Sequence, residues 1–258
     1  MDALTQLGRP FLAHLQRLDE TFSGAGVPYA VIGASAFLLH GIGLRRTTRD
    51  LDLALAIEGG LEAIRDLLLT SGLASTGIDH RFRTADRTEI DILAIDTSWT
   101  PEHEIQLAGG DTLRAFGLPE GLRSPVEIDV NGRGIPVVSL PMLIAMKLVV
   151  AGSGSRPHDL EDACEALAAY EASGDRRFFI DYDRHSDLRY ETAGAFLAGL
   201  DAAGMIGPAT ESALREAIDR LLQGARLTDR HAQGPVRREL IHAFRTGLDG
   251  TPSPGSGR

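Results

Sequence analysis

Tyr29-Ala-Val-Ile-Gly-Ala-Ser-Ala-Phe-Leu-Leu-His40, followed by Arg49-Asp-Leu-Asp-Leu-Ala-Leu-Ala-Ile57, is the stretch whose reading decides the fold. Pro28 leads into Tyr29–Ile32, a short apolar run of strand type, and Ala34 to His40 has helical character until Gly41-Ile-Gly43 stops it. From Arg49 the chain alternates polar and apolar residues, the period of a half-buried strand. On that strand Asp50 and Asp52 leave one face while Leu51, Leu53 and Leu55 fill the other. A strand, a glycine turn into a helix, then a strand carrying paired acids is the frame from which the rest is read.

Outward from this frame, Thr88 to Ile95 alternates again and predicts a third strand, on which Glu89 and Asp91 share a face. Leu4, Leu7, Phe11, Leu12, Leu15 and Leu18 recur at helical spacing and predict an opening amphipathic helix. Gly59-Gly60 precedes a predicted helix over 61–70, and Asn131-Gly132 joins the short strands 126–130 and 135–138 as a hairpin. Ser139 and Pro141 mark the start of a helix to Ala151, Gly152–Ser155 ends it, and Pro157 opens another through Tyr170. Beyond Asp175 the pattern is mostly helical, notably over 192–203 and 210–222. The expectation is an α/β (α+β) fold. A mixed β-sheet flanked by helices spans residues 1–138, a mainly helical part spans 139–246, and the Gly/Pro/Ser-rich segment 247–258 is a disordered tail.

Composition narrows the function. The chain has 258 residues with 43% hydrophobic and 24% charged, the balance of a globular protein. A single cysteine excludes an intrachain disulfide and a cysteine-rich zinc site. No stretch reaches the ~20 apolar residues of a membrane span, and the N-terminus lacks the basic-then-apolar order of a signal peptide. A soluble, cytoplasmic protein with no membrane partner is expected. The net charge of −10 speaks against a broad basic surface for nucleic acid, though not against a local patch. Of the 26 basic residues, 25 are arginine and Lys147 is the one lysine. Its compact ammonium is a group that the planar arginine fork does not mimic.

Two carboxylates as close as Asp50 and Asp52 repel unless a cation lies between them, and an oxygen-only ligand set suits Mg²⁺. A pair of exposed aspartates on an edge strand would have the same spacing. Gly33 permits close backbone approach, and the free N–H groups of the turn into the helix can hold phosphate oxygens, with the Ser35 hydroxyl as an added donor or simply as a turn-closing cap. A third acid, Asp91 or Glu89, follows on the next strand. Lys147, on an apolar helix, requires an anionic partner or a route to water; a triphosphate or Asp159 would serve. Asp159 also reads as an acid in the first turn of its helix. His40 reads as packed, and His80, His103 and His185 as surface residues. Glu161, Asp162 and Glu165 read as a solvated helix face, and Trp99, Phe178, Phe179 and Tyr182 as packing.

Val-Ile-Gly-Ala-Ser-Ala-Phe-Leu-Leu-His-Gly (31–41) with Arg46-Thr-Thr-Arg-Asp-Leu-Asp-Leu53 resembles the signature of the DNA polymerase β-type nucleotidyltransferases, in the abortive-infection toxin subgroup (AbiEii-like). The family pattern has Gly-Gly or Gly-Ser where this chain has Gly33-Ala34. The resemblance continues through Met146–Ala151, where Lys147 takes the family's lysine position, and through Arg156-Pro-His-Asp159. It implies a nucleotidyltransferase-type sheet and transfer of NMP from an NTP such as ATP, with release of pyrophosphate. Asp50, Asp52 and Asp91 would hold a two-metal Mg²⁺ site, and Gly33, Ser35, Lys147 and Asp159 would bind nucleotide. The acceptor implied is RNA or tRNA, and the regulator a separately encoded antitoxin. Five arginines in 225–245 (Arg226, Arg230, Arg237, Arg238, Arg245) and Arg45, Arg46 and Arg49 are the basic groups available to an RNA. Two other readings stay open: modification of a small cationic molecule such as an aminoglycoside, and a non-catalytic nucleotide-binding regulator.

Overall fold

The computed structural model describes residues 7–45, 48, 50–106, 112–154, 157–172, 174–224 and 237–250. These fall into two compact units, Met1–Ser139 and Leu140–Arg258. Arg46, Arg49, Arg156, Arg226 and Arg230 lie outside the described residues, as do 251–258 of the expected tail.

The first unit is mixed α/β. Helix α1 (Arg9–Gly24) precedes β1 (Tyr29–Ile32), α2 (Gly33–Leu39) and β2 (Asp50–Ala56). The segment expected as one helix over 61–70 is divided into a 3-10 turn, Leu61–Ile64, and α3 (Arg65–Thr70). Short strands β3 (Ala74–Ser75) and β4 (Arg81–Arg83) then lead to β5 (Glu89–Ile95). A two-stranded ribbon, β6 (Glu104–Gln106) with β7 (Thr112–Arg114), and helix α4 (Leu118–Arg123) precede the hairpin β8 (Val126–Val130) and β9 (Arg133–Val137). The main sheet runs β3-β4-β5-β2-β1-β9-β8. Its central pairs combine antiparallel β1–β2 with parallel β2–β5 and β1–β9. Strands buried on both faces explain the apolar runs. Ala30 and Val31 of β1, and Leu51, Leu53 and Leu55 of β2, have no exposed surface. The strands β3, β4, β6 and β7 escape a reading of the sequence because two or three residues cannot establish a period.

Helix α2 is buried from Ala34 through Leu39 and packs on β2. Its end is tied to the sheet by His40, whose Nε2–H donates to the Val138 carbonyl at 2.8 Å. Burial pushes the His40 imidazole below its ordinary value of 6.5, against the smaller upward pull of this hydrogen bond. Near pH 6.5 the unfolded chain thus binds a proton at His40 that the folded chain does not. Stability from this group is complete above about pH 6.5 and declines as pH falls from there towards the folded value. Urea midpoints measured between pH 7.5 and 5 should fall less steeply for His40→Gln than for the parent. Parallel curves would remove His40 as a source of acid sensitivity.

The second unit is helical: α5 (Leu140–Gly152), α6 (Pro157–Ala169), α7 (Ala193–Ala203), α8 (Pro208–Gln223) and α9 (Arg237–Asp249). Helices α7 and α9 meet through glycine: a Cβ on Gly199 would lie 2.0 Å from the Phe244 carbonyl oxygen, and one on Gly247 2.0 Å from that of Phe196. This corrects the expected onset of the tail at Gly247. That glycine is a buried contact inside α9, which runs to Asp249. Phe178 and Phe179, expected as packing residues, are 69% and 85% exposed. The 3-10 turn Asp175–Phe179 carries Arg177 inward to the Tyr170 carbonyl (2.6 Å) and leaves both rings outside. His185, expected at the surface, is half-buried with its ring 4.8 Å from that of Phe196. Among the described residues, no helix is long and apolar enough to cross a membrane.

Candidate active site

Pleating brings the acids together. Asp50 and Asp52 are half-buried on one face of β2, with the three buried leucines anchoring the other. Parallel pairing sets Asp52 beside Asp91 and Asp50 beside Glu89. One carboxylate oxygen from each of Asp50, Asp52 and Asp91 lies within 4.8 Å of the others. At that separation each pair of unit charges repels by roughly 3–4 kcal/mol at an effective dielectric of about 20. Such a cluster invites a cation, and three convergent hard oxygens fit a divalent ion such as Mg²⁺. Thr48 Oγ1 donates to Asp50 Oδ1 at 3.3 Å, fixing the rim of the group.

Register sets each of Asp91 and Glu89 beside an aspartate of β2, and the direction of their side chains distinguishes them. Glu89 turns to arginine: Arg83 Nη2 donates to its Oε1 at 2.8 Å, and Arg81 Nη1 stands 3.2 Å from its Oε2. Asp91 joins the cluster but is not bare. Arg81 Nε and Nη2 donate to its two oxygens at 2.7 Å each, a fork-to-fork pair. The hydrogen bond to Asp91 raises the Arg81 pKa against a smaller effect of burial, and the charges of Asp91, Glu89 and Asp50 add to the rise. Sequence reading did not single out Arg81. Its only local signal is the Arg81-Phe-Arg83 alternation, which faces Asp91 and Glu89 across the antiparallel β4–β5 pair.

Gly33 stands at the opposite wall. It has φ +66°, and a Cβ there would lie 2.0 Å from Asp52 Oδ2, 2.7 Å from its Cγ and 2.9 Å from its Cβ. The pairing of Ile32 with Asp52 sets this distance, since the next residue of β1 turns directly over the carboxylate. Glycine is required twice, for the backbone angle and for the space. Ser35 is fully buried, and its hydroxyl donates to the Ile32 carbonyl at 3.2 Å. Here the hydroxyl braces the turn instead of facing outward to a ligand.

In the helical unit, Lys147 on α5 reaches α6. Its Nζ donates to Asp159 Oδ1 and stands 3.1 Å from Asp162 Oδ2. The three side chains are only 15%, 8% and 4% exposed, so the contact is a buried cluster of two acids and one ammonium. Asp162, read from sequence as part of a solvated face, is corrected by this packing: α6 turns Asp159 and Asp162, three residues apart, to the same side. The basic segment near the C-terminus is also changed by its contacts. Arg237 is largely covered and 3.6 Å from Glu161, and Arg245 lies 3.8 Å from Asp249 and 3.9 Å from Asp219. Arg238 donates to the Leu222 carbonyl at 2.5 Å. The described part of 225–245 is not a row of free arginines.

The family described as "Nucleotidyl transferase AbiEii toxin, Type IV TA system" matches residues 18–250 of the chain. None of the curated proteins searched matches it. Among solved structures it is similar to MenT4, a nucleotidyltransferase toxin from Mycobacterium tuberculosis, at 14% identity and a TM-score of 0.39, covering 95% of this chain and 87% of that one. It is similar to the antibiotic-resistance factor ANT(2'')-Ia at 15% identity and 0.42, covering 72% and 98%. The lincosamide adenylyltransferase LnuA is similar at 15% identity and 0.40, covering 60% and 94%.

Proposed function

The chain belongs to the AbiEii nucleotidyltransferase toxin family, and from this premise we propose that it transfers NMP from an NTP to the end of an RNA, with tRNA the leading class. The observation that carries the chemistry is the convergence of Asp50, Asp52 and Asp91 beside the Gly33 turn. In the transfer, the acceptor hydroxyl oxygen bonds to the α-phosphorus, the α–β phosphoanhydride bond breaks, and pyrophosphate leaves with its electron pair. Asp50, Asp52 and Asp91 would hold two Mg²⁺ ions, which when bound neutralise the triphosphate and lower the pKa of the acceptor hydroxyl. Asp91 would ligate the metal on the acceptor side and help take the hydroxyl proton. The backbone turn at Gly33 orients phosphate, and buried Ser35 keeps that turn closed.

Lys147 is assigned to nucleotide phosphate, with Asp159 and Asp162 holding its ammonium in place. Lys147→Arg is expected to lower transfer about tenfold or more, since a wider planar fork does not fit between two buried acids. Lys147→Ala should in addition lose about 3 kcal/mol of stability by leaving those acids uncompensated. Full transfer by both variants, measured beside their urea midpoints, would reduce Lys147 to a structural ion-pair partner.

A second reading, transfer to a small cationic molecule such as an aminoglycoside, is supported by the net charge of −10 and by the ion pairing of Arg237 and Arg245. One experiment separates the readings: the protein is incubated with α-labelled NTPs, total RNA and an aminoglycoside panel, with Mg²⁺ or with EDTA. Label in RNA supports the first reading and label in the small molecule the second. Nucleotide binding without turnover would leave a regulatory binding protein. A cognate antitoxin is the proposed regulator, and its co-expression should relieve the growth arrest that an active toxin causes.

A further inference from the structure

Arg81 is a residue at the acidic cluster that a reading of the chain as a metal-dependent transferase does not use. It projects from β4 directly across from Asp91, placed there by antiparallel register and not by a loop. Its guanidinium takes both oxygens of Asp91 at 2.7 Å, so the third carboxylate is already occupied by a cation. It also has a second acid within reach, Glu89 at 3.2 Å. A guanidinium that releases Asp91 therefore does not become an unpaired charge in a part-buried site, which would otherwise be costly. Glu89 has its own second partner in Arg83 and so remains fixed to receive it.

We propose that Arg81 is a resident counter-cation of the Asp50–Asp52–Asp91 cluster, which stabilises the metal-free protein and gives up Asp91 to Glu89's side when a divalent ion binds. The inference rests on the metal-site reading above. Its physical basis is competition. One carboxylate cannot offer the same lone pairs to a fork of two N–H donors and to a metal, and a nearby positive charge repels an incoming dication. Arg81 is thus a positioning residue. It holds Asp91 beside Asp50 and Asp52 before a metal arrives and sets the affinity at which one enters.

Mn²⁺ is the probe, with free ion followed by EPR during titration of the full chain. Arg81→Gln should bind Mn²⁺ about tenfold more tightly than the parent. In EDTA the same variant should melt at a lower temperature than the parent, and saturating Mn²⁺ should close that gap. Arg81→Lys keeps the charge without the fork and should tighten binding by a smaller factor, which preserves the test if the glutamine variant does not fold. Arg65→Gln, whose partner is Glu62 and not an acid of this group, should leave Mn²⁺ affinity unchanged. Equal or weaker Mn²⁺ binding by both Arg81 variants overturns the inference while leaving the metal site intact. Absence of Mn²⁺ binding by the parent, or binding undiminished in Asp52→Asn, overturns the metal-site reading and this inference with it.

Discussion

Asp52→Asn, and equally Asp50→Asn, is expected to reduce nucleotidyl transfer by about a thousandfold, roughly 4 kcal/mol at 1.36 kcal/mol per factor of ten. The fold should survive. Each change removes one negative charge from a cluster whose ligand oxygens lie within 4.8 Å of one another, and the amide is nearly the same size as the carboxylate. The urea midpoint of the metal-free variant should equal that of the parent or rise slightly, because repulsion has been relieved. The two readouts must therefore move apart, with activity lost and stability kept. Parent-like transfer in either variant would remove the metal-binding role from β2, and a large fall in stability would show that these acids are held for structural reasons.

Gly33→Ala should have the second large effect, through geometry instead of charge. Alanine at φ +66° costs on the order of 1–2 kcal/mol by itself. The added methyl would also meet the Asp52 side chain as far back as its Cβ, at 2.9 Å, so rotating the carboxylate away does not clear the clash. β1 and β2 must separate at Ile32–Asp52, or the turn into α2 must shift. The expected loss is about 2–4 kcal/mol of stability in urea, accompanied by loss of Mn²⁺ binding and transfer. A variant that folds with parent stability and turns over normally would show that the close approach of the turn to Asp52 is unnecessary. Gly33→Ala and Asp52→Asn differ in kind: one should damage fold and site together, the other the site alone.

Residues that act through local periodicity were legible from the chain. The alternation of Asp50-Leu-Asp-Leu53 specifies a strand with acids on one face whatever surrounds it, and Gly33 between an apolar strand and an apolar helix marks a tight turn. These features placed the mixed sheet, and the sheet is found. The lone lysine was conspicuous by composition alone. Where the sequence misled, the cause was a contact on another element. Asp162 looked solvated because helical spacing cannot say that α5 brings an ammonium to that face. Gly247 reads as part of the Gly/Pro/Ser-rich tail because a glycine's composition signal is the same in a loose segment and in a helix that admits another backbone.

The amino-acid sequence determined the strand that carries Asp50 and Asp52, the turn at Gly33 and the helical character of the second half, because each depends on interactions within a few residues. The tertiary structure alone decided that Asp91 and not Glu89 completes the cluster. The two acids share a face of β5 and are indistinguishable by period; register sets each beside an aspartate of β2, and only side-chain contacts in the folded sheet turn Glu89 to Arg83 while Asp91 converges on Asp50 and Asp52. It also decided the cation already present. Arg81 is ten residues from Asp91, across a hairpin whose strand β4 is three residues long, too short to announce itself. Carboxylates and guanidinium meet because hydrogen-bonded strands fix their neighbours to within one residue, a constraint that exists only once the sheet has formed.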